Sequence, residues 1–596
     1  MPFSSQATSC LLLLALLNMP LAAQNKTKPP ASEKPVKAEA SAEPALTPQQ
    51  QRALALLDQL FDKAKDFKEG QAKIRVQARI ADVLWDYDQP RARRQFEDTF
   101  RAINSVRIHT AMNKEPSAYD LRLLQSKLRA EVLPLIAQRD RELASKLIKS
   151  LTDSWLTAKE EADEPKRKEQ IQSEQDAQYM RLAQKLATTD PQSAAQLVLA
   201  SRGAGTGTEL LPVLKAIQRQ DPQLADSVFS QILTAGNVNW LYLEQYVFPN
   251  AVDDWAGLNL PTPASTPNRL MSQSSPTLVT QFLNYTYEAI LRDAATFIAR
   301  GVTRNNAGIY YFLVQQMLPF FDHYQPEQAA TLRAKMSELT RLIPGEKVDY
   351  WLNAHRPRTV QDYLDEAERA KTTAEKDDNY RIAAMVAAHD GEADEALSII
   401  SKISNVSERP GLETFVRYHV ALRAIEKNDA ETAYKYGKEI KDLQPHARVF
   451  SKLAQFFFKK KDLARAIEMI NEAEQTVSKG EQGVDKIYAM ITLAETATAI
   501  DRSRGFEIMK SVVDAINQSY LKLRTAGAEA KLENEWGTEI NNAERNGNWL
   551  SFDECLPLLA RADFDRALLL AQTIEDKELS ALAQLAVCRG VLAKRL

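Results

Sequence analysis

The chain contains little glycine and almost no cysteine. Only 19 of its 596 residues are glycine and only 3 are cysteine. An average chain holds about 7 % glycine, and β-rich folds use this residue in turns and bulges, so its scarcity favours a helical fold. So few cysteines do not make a disulfide framework.

Neither sign of charge dominates. The 76 Lys and Arg residues nearly balance the 79 Asp and Glu residues, which leaves a formal net charge of -3. A globally basic nucleic-acid binder carries a large excess of Lys and Arg, so we expect no nucleic-acid partner. A length of 596 residues exceeds the ~250–300 residues that one core supports, which indicates several domains or an elongated array.

Motifs typical of enzymes are missing as well. The 6 histidines do not show the spacing of a zinc helix such as H-E-x-x-H. The glycine-rich run at residues 203–208 lacks the Lys-Ser/Thr ending that holds phosphates, and no G-x-S-x-G occurs. We therefore expect no catalytic residue, no metal site and no bound cofactor.

The first 48 residues differ in composition from the rest. Leu11–Leu17 form a Leu/Ala run, followed by the small residues Ala22 and Ala23. This run is too short to cross a bilayer and is typical of a signal peptide, predicted here at residues 1–23. Residues 24–48, rich in proline, lysine and alanine, predict a disordered tether. We expect an exported protein, periplasmic or extracellular, with no membrane span in the mature chain.

A repeated pattern occurs in residues 49–235 and 380–596. An aspartate is followed four residues later by alanine or glycine, and the positions four and eight residues before it are apolar. Apolar residues at one-turn spacing predict the buried face of a first helix, and aspartate is a preferred N-cap of a second. We therefore predict antiparallel helical hairpins whose second helices are capped by Asp88, Asp140, Asp190, Asp221, Asp429, Asp462, Asp501 and Asp563.

This pattern resembles the tetratricopeptide repeat (TPR). The resemblance is best at residues 461–467, with the sequence KDLARAI, and at residues 428–433, with the sequence NDAETA. The spacing between successive aspartates departs from the constant period of that family. The resemblance implies an all-α superhelical array, a TPR-like α-solenoid, that binds a protein or peptide in a groove and carries no chemistry of its own. It also suggests a group of exported bacterial helical-repeat proteins.

The repeat is absent between Asp221 and Asp429. We interpret residues 236–379 as an irregular, aromatic-rich helical segment with a flexible, proline-rich loop at 257–276. Because tryptophan and tyrosine dominate binding hot spots, five aromatic residues form the candidate partner-binding site. The alternative is that the rings fill the core where the array bends. The five are Trp240, Tyr242, Tyr246, Phe248 and Trp255.

Three functions fit these patterns. The first, which we favour over an enzyme, is an exported, non-enzymatic scaffold that binds a protein or peptide. The second is a peptidoglycan-active envelope enzyme on a helical superstructure, although the Glu-Ser pair typical of such transglycosylases does not occur in the chain. The third is a purely structural envelope spacer. Cys555 and Cys588 either form a bridge that pins the end of the array or are two buried thiols, and the apolar slot of Cys555 favours the second.

Overall fold

The computed structural model describes residues 46–67, 70–107, 118–160, 165–201, 207–236, 243–249, 252–253, 260–261, 270–300, 304–341, 359–525 and 552–593. These residues form 25 α-helices. The first thirteen are α1 (Pro48–Lys65), α2 (Gly70–Leu84), α3 (Gln89–Ala102), α4 (Ala118–Arg139), α5 (Arg141–Glu160), α6 (Pro165–Leu186), α7 (Pro191–Ala200), α8 (Gly207–Gln220), α9 (Pro222–Ala235), α10 (Glu244–Val247), α11 (Pro276–Arg300), α12 (Arg304–Tyr324) and α13 (Pro326–Thr340). The predicted signal peptide and most of the predicted tether lie outside the described residues.

The second half of the chain contributes twelve more helices. They are α14 (Val360–Arg369), α15 (Thr373–Asp390), α16 (Ala393–Ile400), α17 (Arg409–Glu426), α18 (Ala430–Glu439), α19 (Leu443–Lys459), α20 (Leu463–Lys479), α21 (Val484–Ile500), α22 (Arg502–Thr525), α23 (Leu556–Ala562), α24 (Phe564–Gln572) and α25 (Lys577–Leu592).

All eight repeat aspartates stand at the start of a helix. The side chain of each accepts a hydrogen bond from the backbone N–H three residues further on. Pro191 and Pro222 follow two of them at the first helical position, where a missing N–H leaves no bond unmade. The small residue four positions on allows close helix crossing. At Gly505, for example, a Cβ would lie only 2.8 Å from the Cα of Thr498.

The helices pack in chain order. Most helices contact the next along the chain, and alternate helices also pack together, as α2 does with α4, α4 with α6, α6 with α8, α17 with α19 and α19 with α21. A single hairpin cannot bury its own apolar face, so neighbouring hairpins stack to complete the core. This arrangement confirms the predicted all-α, TPR-like solenoid of antiparallel hairpins.

Two hydrophobic cores run through the array. One extends from α2 to α13, and the other from α14 to α25 and on into α1, α2 and Ala92 of α3. Helix α2 belongs to both, because Ile74 and Ala81 face the first core while Val76 and Ile80 face the second. Trp85, just after this helix, packs against both cores.

The first and last described helices are neighbours. Helices α1 and α2 pack against α25. The thiol of Cys588 lies 3.6 Å from the carbonyl oxygen of Ala53, and the Tyr87 hydroxyl donates to the carbonyl of Leu592. We call this junction the closing seam. It consists of α1, α2 and α25 together with the ion pairs that Asp82 and Asp553 form there. The packing is therefore continuous from α25 into α1.

Outside the helices, residues 260 and 261 of the loop predicted at 257–276 belong to a small β-ribbon. Strand β1 (Val252–Asp253) pairs antiparallel with β2 (Leu260–Pro261). These four residues are the whole of the sheet structure in the described part of the chain. Among the described residues, no helix combines the length and the apolar character that a bilayer crossing requires.

Candidate functional site

Two of the five aromatic residues proposed for partner binding lie in the core. Tyr246 is in α10 and Phe248 directly follows it, and both are buried. The Tyr246 ring stacks on Phe229 with centroids 4.6 Å apart, and Phe248 stacks on Phe320 at 4.2 Å. These contacts match the alternative interpretation, in which the rings fill the core. The other three lie outside the described residues, and partner binding there stays a prediction; they are Trp240, Tyr242 and Trp255.

The polar end of Tyr246 has a structural partner. Its hydroxyl donates to Oδ1 of Asp226 at 2.9 Å, and the other carboxylate oxygen accepts from the backbone N–H of Ser275 at 3.2 Å. Burial, assisted by the hydrogen bond and charge of Asp226, raises the pKa of Tyr246. The contact joins α9, α10 and the start of α11, so it stabilises the irregular segment.

A cavity of about 420 Å³ lies among α4, α5 and α6. Helices α4 and α6 each contribute five side chains, of which four follow the spacing i, i+3, i+4 and i+7 and therefore lie on one helix face. The fifth is Leu123 on α4 and Ser173 on α6. Helix α5 closes the cavity with Leu151, Ser154 and Trp155. The two facing sets are Arg122, Gln125, Ser126 and Arg129 on α4, and Glu174, Ala177, Gln178 and Arg181 on α6.

Positive charge dominates this lining. Three arginines stand against one glutamate, Glu174, whose Oε2 lies 2.9 Å from Nε of Arg122. Arg129 donates from Nη2 to Oδ1 of Asn104 at 2.7 Å, but among the described residues it has no carboxylate within 4.0 Å. Burial lowers the pKa of Arg129, because no counter-ion offsets the loss of water. Arg181 also forms no ion pair with the described residues.

Four polar atoms of the lining are buried without a partner. They are Oγ of Ser126, Nε of Arg129, Nε2 of Gln178 and Nε of Arg181, none of which makes a hydrogen bond within the described structure. Buried polar atoms in proteins almost always have a partner, and one left without costs about 1–3 kcal/mol. Three of the four can only donate, and the Ser126 hydroxyl can donate or accept. The cavity is therefore suited to a ligand that brings negative charge and hydrogen-bond acceptors.

The lining offers little for catalysis. Its described members include neither histidine, cysteine nor aspartate, and Glu174 is engaged with Arg122. Across the described chain, no group of three or more His, Cys, Asp or Glu side chains is placed to hold a metal ion. The arrangement can bind and orient an anion, whereas a nucleophile beside a general base is not present among these side chains.

Sequence reasoning missed this cavity, although its pattern is visible in the chain. Arg122 and Arg129 are seven residues apart, and Glu174 and Arg181 repeat that spacing on α6. The signal is a polar stripe at helical spacing on two helices of one array. Taken alone, each stripe is typical of a solvent-exposed face, and only the packing of α4 on α6 shows that the two face one another.

Both C-terminal cysteines are free and buried. The Cys555 thiol lies 3.1 Å from Oγ1 of Thr498, and that of Cys588 lies near the Ala53 carbonyl in the closing seam. Burial raises the pKa of each thiol to about 12. Both therefore behave as small apolar groups in this structure.

Comparison with known proteins adds no argument about function. No protein-family model matches the sequence, and no curated protein gives a significant match. A circular tandem repeat protein with novel repeat topology is 13% identical, with 91% of this chain and 97% of that chain covered and a TM-score of 0.22. Yeast Tom70 is 12% identical, with 91% of this chain and 96% of the Tom70 chain covered and a TM-score of 0.20. Scores this low carry no argument, and the fold assignment rests on the helices and contacts described above.

Proposed function

We propose that this chain is a non-enzymatic scaffold that binds an acidic segment of a partner protein in the α4–α6 cavity. The observation that carries the proposal is the half-buried guanidinium of Arg129, whose Nε is buried without a partner and which lacks a carboxylate among the described residues. A buried charge without a counter-ion is unfavourable, so an aspartate or glutamate side chain from outside would be strongly favoured there.

The rest of the lining suits a peptide better than a bare ion. Gln178 Nε2 has no partner among the described residues and can donate to a peptide carbonyl. Gln125 donates from Nε2 to the Asn104 carbonyl and keeps Oε1 to accept a peptide N–H, while Leu151 and Trp155 supply apolar contact. A volume of about 420 Å³ falls within the usual range of ligand sites and accommodates a few residues rather than a folded domain. Helical arrays commonly present extended surfaces to such segments.

The test is peptide binding by fluorescence anisotropy. A labelled peptide of alternating glutamate and alanine is titrated with the purified protein, and a glutamine–alanine peptide of equal length serves as the neutral comparison. We expect binding of the acidic peptide only, weakened at least about tenfold in Arg129→Met and in Arg181→Met.

A matched control is Arg141→Met. This arginine is exposed at the start of α5 and outside the cavity lining, so the variant changes the net charge equally without touching the site. Binding by the glutamine–alanine peptide, or unchanged binding in both cavity variants, would contradict the proposal. The structural spacer would then be the better explanation of the array.

Export is the second part of the proposed function. It is supported by the Leu/Ala run Leu11–Leu17 and the small residues before Gln24. The test is expression of the full chain in a bacterium with an outer membrane, followed by fractionation and intact mass measurement. We expect a periplasmic or secreted product that begins at Gln24. A cytoplasmic product that retains residues 1–23 would show that this part is wrong.

A further inference from the structure

Three successive hairpins in the second half of the array have the same turn. After α15, α17 and α19 the chain passes through one residue with positive φ: Gly391 at 95°, Asn428 at 63° and Lys461 at 64°. In each, the following backbone N–H donates to a carbonyl five residues back, at 2.8–2.9 Å. This is the Schellman ending of a helix, whose left-handed position favours glycine or asparagine.

Lys461 is the exception in this series. A lysine pays a steric penalty in the left-handed region that glycine avoids, and neither of the two equivalent turns uses one. Residues held in such positions are concentrated at functional sites. The turn alone does not explain why a lysine stands at this position, which indicates a functional role for Lys461.

The residues around Lys461 form an exposed, cationic and apolar surface, which we call the lysine tip. Phe458 and Leu463 flank the turn with 45% and 48% of their surface exposed. Three consecutive lysines and one arginine surround them: Lys459, Lys460, Lys461 and Arg465, all exposed. The one carboxylate in this segment, Asp462, caps α20 and pairs with Arg465 at 2.7 Å.

We infer that the lysine tip docks on a lipid bilayer surface that contains anionic phospholipid. Exposed lysines near such a surface are attracted to it, and each strengthens binding roughly fivefold. Phe458 in the last turn of α19 and Leu463 at the start of α20 lie on either side of the turn, so they can enter the headgroup region as the lysines meet the phosphates. An acidic protein would satisfy the lysines, but it would need a pocket to cover the two apolar side chains beside the turn.

This inference is independent of the proposed function, because the lysine tip and the α4–α6 cavity share no residue. It also requires no membrane-spanning helix. The two exposed apolar side chains and the lysines supply separate contributions, one from burial and one from charge. Each contribution can therefore be removed while the other is kept.

The experiment is vesicle flotation with the full chain. One set of vesicles contains phosphatidylcholine alone, and the other an equimolar mixture with phosphatidylglycerol. We expect the protein to bind the anionic vesicles more strongly than the neutral ones, and added salt should reduce this binding. In the double variant Lys459→Glu/Lys461→Glu, binding to the anionic vesicles should be at least about tenfold weaker than in the parent. Phe458→Ser/Leu463→Ser should weaken binding several-fold at unchanged net charge. Thermal unfolding followed by circular dichroism checks that each variant is folded.

The matched control is Arg141→Glu/Lys149→Glu, which makes the same charge change at two exposed positions of α5. Equal loss in this control would assign the effect to net charge and overturn the inference. So would unchanged flotation in both tip variants. If the parent does not bind anionic vesicles but binds a polyglutamate matrix, and the tip variants lose that retention, then the tip binds acidic protein and the lipid assignment is wrong.

Discussion

Arginines of the same helix have opposite surroundings in this protein. Arg139, at the end of α4, lies at the closing seam, where its Nε is 2.7 Å from Oδ1 of Asp82. The other oxygen of that carboxylate is 3.0 Å from Nη2 of Arg589, so one buried aspartate joins α2, α4 and α25. Arg129, earlier on α4, has no such partner among the described residues.

The pKa directions reflect this difference. Burial alone would lower the pKa of Arg139, but the hydrogen bonds and charges of Asp82 and Asp86 outweigh it and raise the pKa. Burial lowers the pKa of Arg129, and no carboxylate compensates. Under the proposed function, an arginine beside a built-in carboxylate, such as Arg139, is a structural residue. Arg129, which lacks a carboxylate among the described residues, is then the arginine that meets the ligand.

The largest expected effect is at the seam. Asp82→Asn removes the charge that faces both Arg139 and Arg589, and the Asp82 side chain is only 3% exposed. We expect a loss of about 3 kcal/mol in the free energy of unfolding, which is the low end for a broken buried pair. The loss is limited because Arg139 keeps its ion pair with Asp86 and Arg589 keeps its ion pair with Asp553. The measurement is urea denaturation followed by circular dichroism.

Asp98→Asn is the control for this prediction. Asp98 pairs with Arg101 on the surface and is 74% exposed, so its removal should change stability by less than about 1 kcal/mol. Equal stability of the two variants would mean that the seam contributes no more than an exposed ion pair does. The proposal that the seam arginines Arg139 and Arg589 are structural residues would then be wrong.

The second prediction concerns the stability of the cavity variants. Arg129→Met should change the free energy of unfolding by less than about 1 kcal/mol in either direction. It removes a half-buried charge that has no counter-ion in the described structure, and this gain offsets the lost hydrogen bonds to Asn104 and Gln178. The same variant is expected to lose acidic-peptide binding. The measurement is the urea denaturation used for Asp82→Asn. A loss as large as at the seam would show that Arg129 is a structural residue.

Local patterns predicted the hairpins because the forces that form them act over a few residues. Asp462 accepts a hydrogen bond from an N–H only three residues away, so this cap can be predicted from a short stretch of sequence. The seam pairs Asp82 with Arg589, 507 residues away, and nothing near either residue indicates its partner. The same limit applies to Tyr246, since aromatic rings at helical spacing look alike in a core and in a groove.

A third prediction tests how firmly the seam is closed. Tyr87→Phe removes the hydrogen bond to the Leu592 carbonyl and should cost about 1 kcal/mol. Easier opening of the seam should expose Cys588, so we expect this thiol to be alkylated faster than in the parent. The measurement is the rate of alkylation at each cysteine, obtained by peptide mass mapping. Cys555, whose thiol contacts Thr498 of α21 and not α1, is the internal control. Equal acceleration at both cysteines would indicate global rather than local opening.

The smallest expected effect comes from the one carboxylate of the cavity. Glu174→Gln keeps the shape of the side chain but removes the negative charge that pairs with Arg122. An acidic peptide would then meet three arginines without a competing carboxylate, and we expect its affinity to rise about threefold, because the pair is partly exposed and its charge is partly screened. The measurement is the anisotropy titration, repeated at higher salt, where the gain should shrink. Weaker binding in Glu174→Gln would mean that Glu174 contacts the ligand or orients Arg122 for it. The cavity would then use a built-in carboxylate, as the seam does. Only Arg129 and Arg181 would still differ from the seam arginines in having no carboxylate partner among the described residues.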